Sequence, residues 1–160
     1  MRKVKIQHTI NCDVDTFWEV FFDGEFTDQL YNEALAFKSF ELLEQSDSSR
    51  RLRGVPNMSM PKPVMKVLGD SFGYEERGEF DREKSEYNWK IIANVLTNKL
   101  RNEGTLRVEA AGDGKCRACD EMQIEAKIFG LGGLIESSTE KEFRDAWAKI
   151  SRFMNEWVAR

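Results

Sequence analysis

Residues 130–158 read GLGGLIESSTEKEFRDAWAKISRFMNEWV, and their spacing decides the architecture. Phe143, Ala146, Trp147, Ile150, Phe153, Met154, Trp157 and Val158 recur at the three- and four-residue steps of one helical face. Lys141, Arg144, Asp145, Lys149, Arg152 and Glu156 occupy the opposite face. An apolar stripe with two tryptophans and two phenylalanines has more bulk than a flat helix-on-sheet contact needs. The segment therefore predicts a long closing helix, gripped by a sheet built from the preceding chain.

Upstream, residues 3 to 11 alternate, with Val4, Ile6, His8 and Ile10 on one face and Lys3, Lys5, Gln7 and Thr9 on the other, as in a half-buried strand. Asp13 or Asp15 can cap a helix through TFWEVFF, and Gly24 separates it from a second short helical stretch, FTDQLYNEAL. This pair lacks a basic recognition face and reads as a structural corner. From residue 36 to 129 strands dominate. FKSFELLEQ leads through a polar turn, SDSSRR, to LRGVPNM; then follow SFGYEERGEFD, EYNWKIIANV, KLRNEGTLRVEA and, after the turn AGDGK, CRACDEMQIEAKIF. MSMPKPVMKVLG, with two prolines and three methionines, interrupts the series as a short helix or loop. The order is strand, two short helices, about six strands and a long helix. Short turns between strands favour an antiparallel sheet, and the separation of strands from helices makes the class α+β.

The length, 160 residues, fits one domain spanning 1–160 with a core large enough for an internal cavity. Charged residues make up 32%, but the signs are interspersed and the net charge is −4, which argues against nucleic acid as a partner. No stretch approaches the roughly 18 apolar residues of a membrane span, and the N-terminal residues lack a signal-peptide core. A soluble, cytoplasmic protein is expected. Three cysteines do not make a disulfide framework. Cys116 and Cys119 form a C-x-x-C without a second ligand pair, and three-residue spacing on a strand sends the thiols to opposite faces. No metal site or cofactor is expected.

Strand parity sorts the side chains further. In residues 99–110 the inward set is Leu100, Asn102, Gly104, Leu106, Val108 and Ala110; in the last strand it is Ala118, Asp120, Met122, Ile124, Ala126 and Ile128. Phe72, Tyr74, Glu76, Gly78 and Phe80 share a face, as do Tyr87, Trp89 and Ile91. These assignments require that no bulge intervene at Gly78 or Gly104. Four polar groups fall on the apolar faces: His8, Glu76, Asn102 and Asp120. A buried carboxylate needs a partner, water or a ligand, and the inward glycines and alanines suggest curvature or open volume. A pocket with a polar foothold is one reading; carboxylates reaching solvent at strand ends is the other.

With these elements placed, the chain resembles the helix-grip fold of the START-like (SRPBCC) superfamily, which includes birch-pollen-allergen-type carriers, lipid-transfer domains, polyketide cyclases and uncharacterised bacterial members. KVKIQHTINCDVDTFWEVFFDGEF matches the first strand and helix pair, and residues 130–158 the glycine-rich entry and closing helix. The resemblance implies a curved antiparallel sheet wrapped around the C-terminal helix, enclosing a cavity for a lipid or other apolar molecule. It also implies a gate between the third and fourth strands, here residues 58–68 with Met60, Val64, Met65 and Leu68. Lys62 and Lys66 there offer weak contact with a membrane surface.

Two functions follow as expectations. The first is non-enzymatic binding or transfer of a hydrophobic small molecule, with Tyr74, Trp89, Asn102, Leu106, Met122, Trp147, Ile150 and Met154 lining the cavity. The second is an enzyme of the polyketide cyclase or hydrolase type, with Glu76 or Asp120 as a buried acid/base and Asn102 or Tyr74 as an orienting donor. No nucleophile-base motif or metal-ligand cluster supports the second.

Overall fold

The computed structural model describes residues 1–160. Strand β1 (Arg2–Ile10) leads into α1 (Val14–Phe21) and α2 (Gly24–Gln29). Asp13, rather than Asp15, caps α1 by accepting from the Thr16 N–H at 2.8 Å, and Asp23 caps α2 through Phe26 at 2.9 Å. Helix α2 runs into a single π-turn, Leu30–Ala34, closed by the Leu35 N–H on the Leu30 carbonyl. Strands β2 (Ser39–Gln45) and β3 (Ser49–Val55), helix α3 (Lys62–Leu68), and strands β4 (Tyr74–Asp81), β5 (Glu86–Ala93), β6 (Leu100–Ala110) and β7 (Cys116–Ala126) follow. Helix α4 (Gly132–Val158) closes the chain.

All seven strands form one curved antiparallel sheet in the order β1-β7-β6-β5-β4-β3-β2. Strands β2 to β7 are a meander, and β1 returns to pair with β7, so the first and last strands meet under α4. The only register shift lies between Leu42 and Glu44 in β2. With no bulge at Gly78 or Gly104, the inward sets read from parity hold across the sheet's centre.

Uninterrupted register places inward residues in cross-strand rows. One row runs Ile6, Asp120, Leu106, Tyr87, Phe80; the next runs Val4, Met122, Gly104, Trp89, Gly78, Arg50; a third contains Ile124, Asn102, Ile91, Glu76 and Leu52. Arg50 departs from the expectation. The turn is shorter than SDSSRR, because the Ser46 N–H bonds the Ser49 carbonyl and β3 begins at Ser49. An arginine expected in a polar turn thus becomes an inward strand residue, 3% exposed.

The inward glycines also differ from the expected open volume. A β-carbon at Gly78 would coincide with the Tyr87 ring, and one at Gly104 would sit 2.8 Å from the Trp89 indole. Each glycine is the floor on which an aromatic ring from β5 lies flat. We expect Gly78→Ala to cost about 1–3 kcal/mol by forcing that ring off its position. Gly133→Ala, in the first turn of α4 with open space around it, should be neutral or stabilising by up to about 1 kcal/mol. Urea denaturation of the two variants checks the contrast.

Candidate functional site

Between the inner face of the sheet, α4 and the α3 segment lies a cavity of about 220 Å³. Its wall is mostly apolar and aromatic, including Phe21, Leu30, Phe37, Trp89, Leu106, Phe143 and Ile150. Exposed Asp145 and Lys149 of α4 border it, so the space opens beside that helix. Into this wall are set two polar stations.

The first is Asp120, on the centre of β7. It is 5% exposed and accepts Nε1–H of Trp89 through Oδ1 and Nε1–H of Trp147 through Oδ2, each at 2.9 Å. One indole comes from β5, two strands away across Gly104; the other comes from α4. Burial pushes the Asp120 carboxyl up to about 6, and the two indole N–H bonds pull in the opposite direction. A folded value above the ordinary carboxyl value, about 4, means that folding favours the protonated form. The stability linked to this shift is complete below about pH 4 and is lost as pH rises through about 6.

The second station is centred on Glu76 of β4. Its Oε2 accepts Tyr87 Oη–H at 2.8 Å and an Arg50 guanidinium N–H at 3.3 Å. Arg50 also donates to the Phe21 carbonyl at 3.2 Å and lies over the Phe21 ring, 4.4 Å from its centroid. Its Nε–H is buried without a partner. Tyr31, on the π-turn, and Tyr74, at the start of β4, line the same space. Burial first, and the neighbouring Glu76 charge as well, raise both phenols, so both hydroxyls remain protonated donors.

Of the residues expected from sequence to line the site, Tyr74, Trp89, Asn102, Leu106, Trp147 and Ile150 stand in the wall, with Glu76 and Asp120. Met122 and Met154 lie instead in the packed core, 2% and 0% exposed, because both point at neighbouring apolar side chains rather than open space. In the α3 segment, Met60 and Leu68 reach the cavity, while Val64 is buried against a satellite core with Ala126 and Ile135. Met65, half-buried, is not in the wall. His8 lies outside the wall, stacked on Trp147 with 6.2 Å between centroids. Sequence reasoning missed Arg50, Tyr31 and Phe21. Arg50 alone left a signal, since it has the parity of Leu52 and Gly54 in β3.

The remaining polar features are structural. Cys116 is buried and Cys119 half-exposed on the other face of β7, and both are free thiols. The outer face of the sheet carries ladders of alternating charge, such as Arg51 with Glu75 at 2.8 Å and Arg107 with Glu86 at 3.3 Å, and reads as a solvated surface. No helix is long and apolar enough to cross a membrane.

A curved seven-stranded sheet gripping its C-terminal helix, with an internal cavity between them, is a helix-grip fold. Solved structures agree in fold. A protein of Thermus thermophilus superimposes with a TM-score of 0.72 at 18% identity, over 99% of this chain and 97% of that one. The Zhui aromatase/cyclase of a Streptomyces species gives 0.70 at 15% identity, over 99% and 96%. A START superfamily protein of Mycobacterium smegmatis gives 0.62 at 11% identity, over 98% and 97%. No curated protein matches the chain. The chain belongs to the family described as "Protein of unknown function (DUF2505)", whose model matches residues 5–158.

Trp89→Phe removes one donor from Asp120 and should raise its carboxyl above about 6. A pH titration of the Asp120 ¹³Cγ resonance in the variant and the parent protein checks this; an unchanged midpoint would remove the indole from the account.

Proposed function

We propose that this protein binds a hydrophobic small molecule in the cavity between sheet and α4. The observation that carries the reading is the cavity itself, whose aromatic wall is interrupted by only a few fixed polar groups, the composition a ligand site requires. An apolar guest there replaces water against aromatic surface, which is favourable at roughly 25 cal/mol per Å². Tyr74, Trp89, Asn102, Leu106, Trp147 and Ile150 are the contact residues of this reading. The segment 58–68, which includes α3, serves as the gate: Met60 and Leu68 face the guest, while Val64 anchors the segment against Ile135. Exchange at a lipid surface belongs to the same reading, with exposed Lys62 and Lys66 beside half-buried Met65.

An acid/base enzyme is the second reading, favoured by the elevated Asp120 carboxyl and by the aromatase/cyclase among the structural neighbours. Against it, both Asp120 oxygens already hold indole N–H groups. Glu76 keeps Oε1 free and is the better placed of the two carboxylates.

The test is native mass spectrometry of purified protein, then organic extraction of what is released. We expect a stoichiometric apolar passenger. Ala146→Phe places a ring in the cavity wall of α4 and should abolish retention while preserving the far-UV circular dichroism spectrum. Passenger retained by the folded variant would move binding out of the cavity. Glu76→Gln with binding intact and turnover lost would favour the enzyme.

A further inference from the structure

We infer that the cavity selects a guest bearing a neutral hydroxyl, phenolic or alcoholic, and seats that group among Glu76, Tyr31 and Tyr74. The inference rests on the cavity reading and deepens it. Three observations carry it. Glu76 spends only Oε2 on Arg50 and Tyr87, leaving Oε1 unengaged in the cavity wall. The Tyr31 and Tyr74 hydroxyls find no hydrogen-bond partner in the chain; both side chains are half-buried in the cavity wall and lie close enough to Glu76 to feel its charge. Arg50, 3% exposed and in the same wall, keeps a buried Nε–H without a partner. Buried polar groups are normally paired, so this concentration of unmet capacity marks where a guest's polar atom belongs.

Charge and valence narrow the chemistry. Arg50 and Glu76 already neutralise each other. A carboxylate guest would add negative charge beside Glu76 and near Asp120, with Arg50 the only buried cation in the wall and Lys149 exposed at its border. An ammonium guest would add positive charge beside Arg50. Either imbalance is costly in a water-poor space. A ketone or ester oxygen can accept from the tyrosines but has nothing to donate to Glu76 Oε1. A hydroxyl does both: its proton goes to Glu76 Oε1 and its lone pairs accept from Tyr31 or Tyr74. The flanking rings, Phe37 at 5.1 Å from Tyr31 and Phe40 stacked on Tyr31 at 4.3 Å, hold that phenol in place without using its hydroxyl.

Isothermal titration calorimetry at pH 7.5 on delipidated full-length protein tests this with three ligands of one shape: 2-naphthol, naphthalene and 2-naphthoate. We expect 2-naphthol to bind roughly tenfold tighter than naphthalene, the effect of one to two net hydrogen bonds, and tighter than 2-naphthoate. The Tyr31→Phe, Tyr74→Phe double variant keeps both rings and loses no hydrogen bond within the chain. In that variant 2-naphthol should bind no tighter than naphthalene. Equal binding of 2-naphthol and naphthalene overturns the hydroxyl seat but leaves the cavity reading intact. Preference for 2-naphthoate overturns the seat in favour of a carboxylate head paired with Arg50. Failure of all three to bind removes the cavity reading and the seat with it.

Discussion

The buried carboxylate of Asp120 is the point through which sheet and helix are fastened. Its two oxygens hold one indole from β5 and one from α4, so a single side chain on β7 sets the position of both tryptophans. A hydrogen bond to a charged group contributes about 1.5–3 kcal/mol, and here two such bonds offset part of the desolvation of the carboxylate. Apolar contact alone would allow α4 to slide and rotate on the sheet. Two directional bonds to a fixed strand residue limit that freedom, and the cavity keeps its shape because the helix above it is held in register.

The same device occurs again, two rows along, at Glu76. In each case a glycine on the inner face clears a path, an aromatic side chain of β5 lies across it, and the polar tip of that aromatic reaches a carboxylate. Trp89 crosses Gly104 to Asp120; Tyr87 crosses Gly78 to Glu76. The rings cover exposed backbone and supply apolar wall, while their N–H and O–H groups make the buried carboxylates tolerable. The two stations differ in what remains. Asp120 engages both oxygens, whereas Glu76 engages one, and Tyr31 and Tyr74 engage none of their hydroxyl capacity. Asp120 is therefore the fastening and Glu76 the open foothold.

Periodicity made much of this legible. The α4 stripe and the alternation of β6 and β7 are continuous over nine or more residues in each element, and uninterrupted alternation allows only one inward face. The inward positions of Glu76, Asn102 and Asp120 followed from that alone. Arg50 did not follow, because a tetrad of serines and aspartate followed by two arginines has the composition of a turn, and only pairing with β4 extends the strand over it. Tyr31 was hidden by the π-turn, which shifts its side chain off the face that a regular helix would give it. The glycines were misread for a different reason. Absence of a side chain looks the same in sequence whether the space is empty or filled from a neighbouring strand, and cross-strand partners come only with the register.

The register also explains why the polar end of the cavity sits where it does. Arg50, at the outer end of the Gly104–Trp89–Gly78 row, is separated from Asp120 by the full width of that row, so the one buried cation serves Glu76 and cannot serve Asp120. Without a cation, Asp120 meets its needs with indole donors and keeps a raised carboxyl. With a cation on Oε2, Glu76 has Oε1 left over in the cavity wall. Two acidic residues on one sheet face thus have opposite characters, one closed and one receptive, through the placement of a single arginine by a turn three residues shorter than its composition implies.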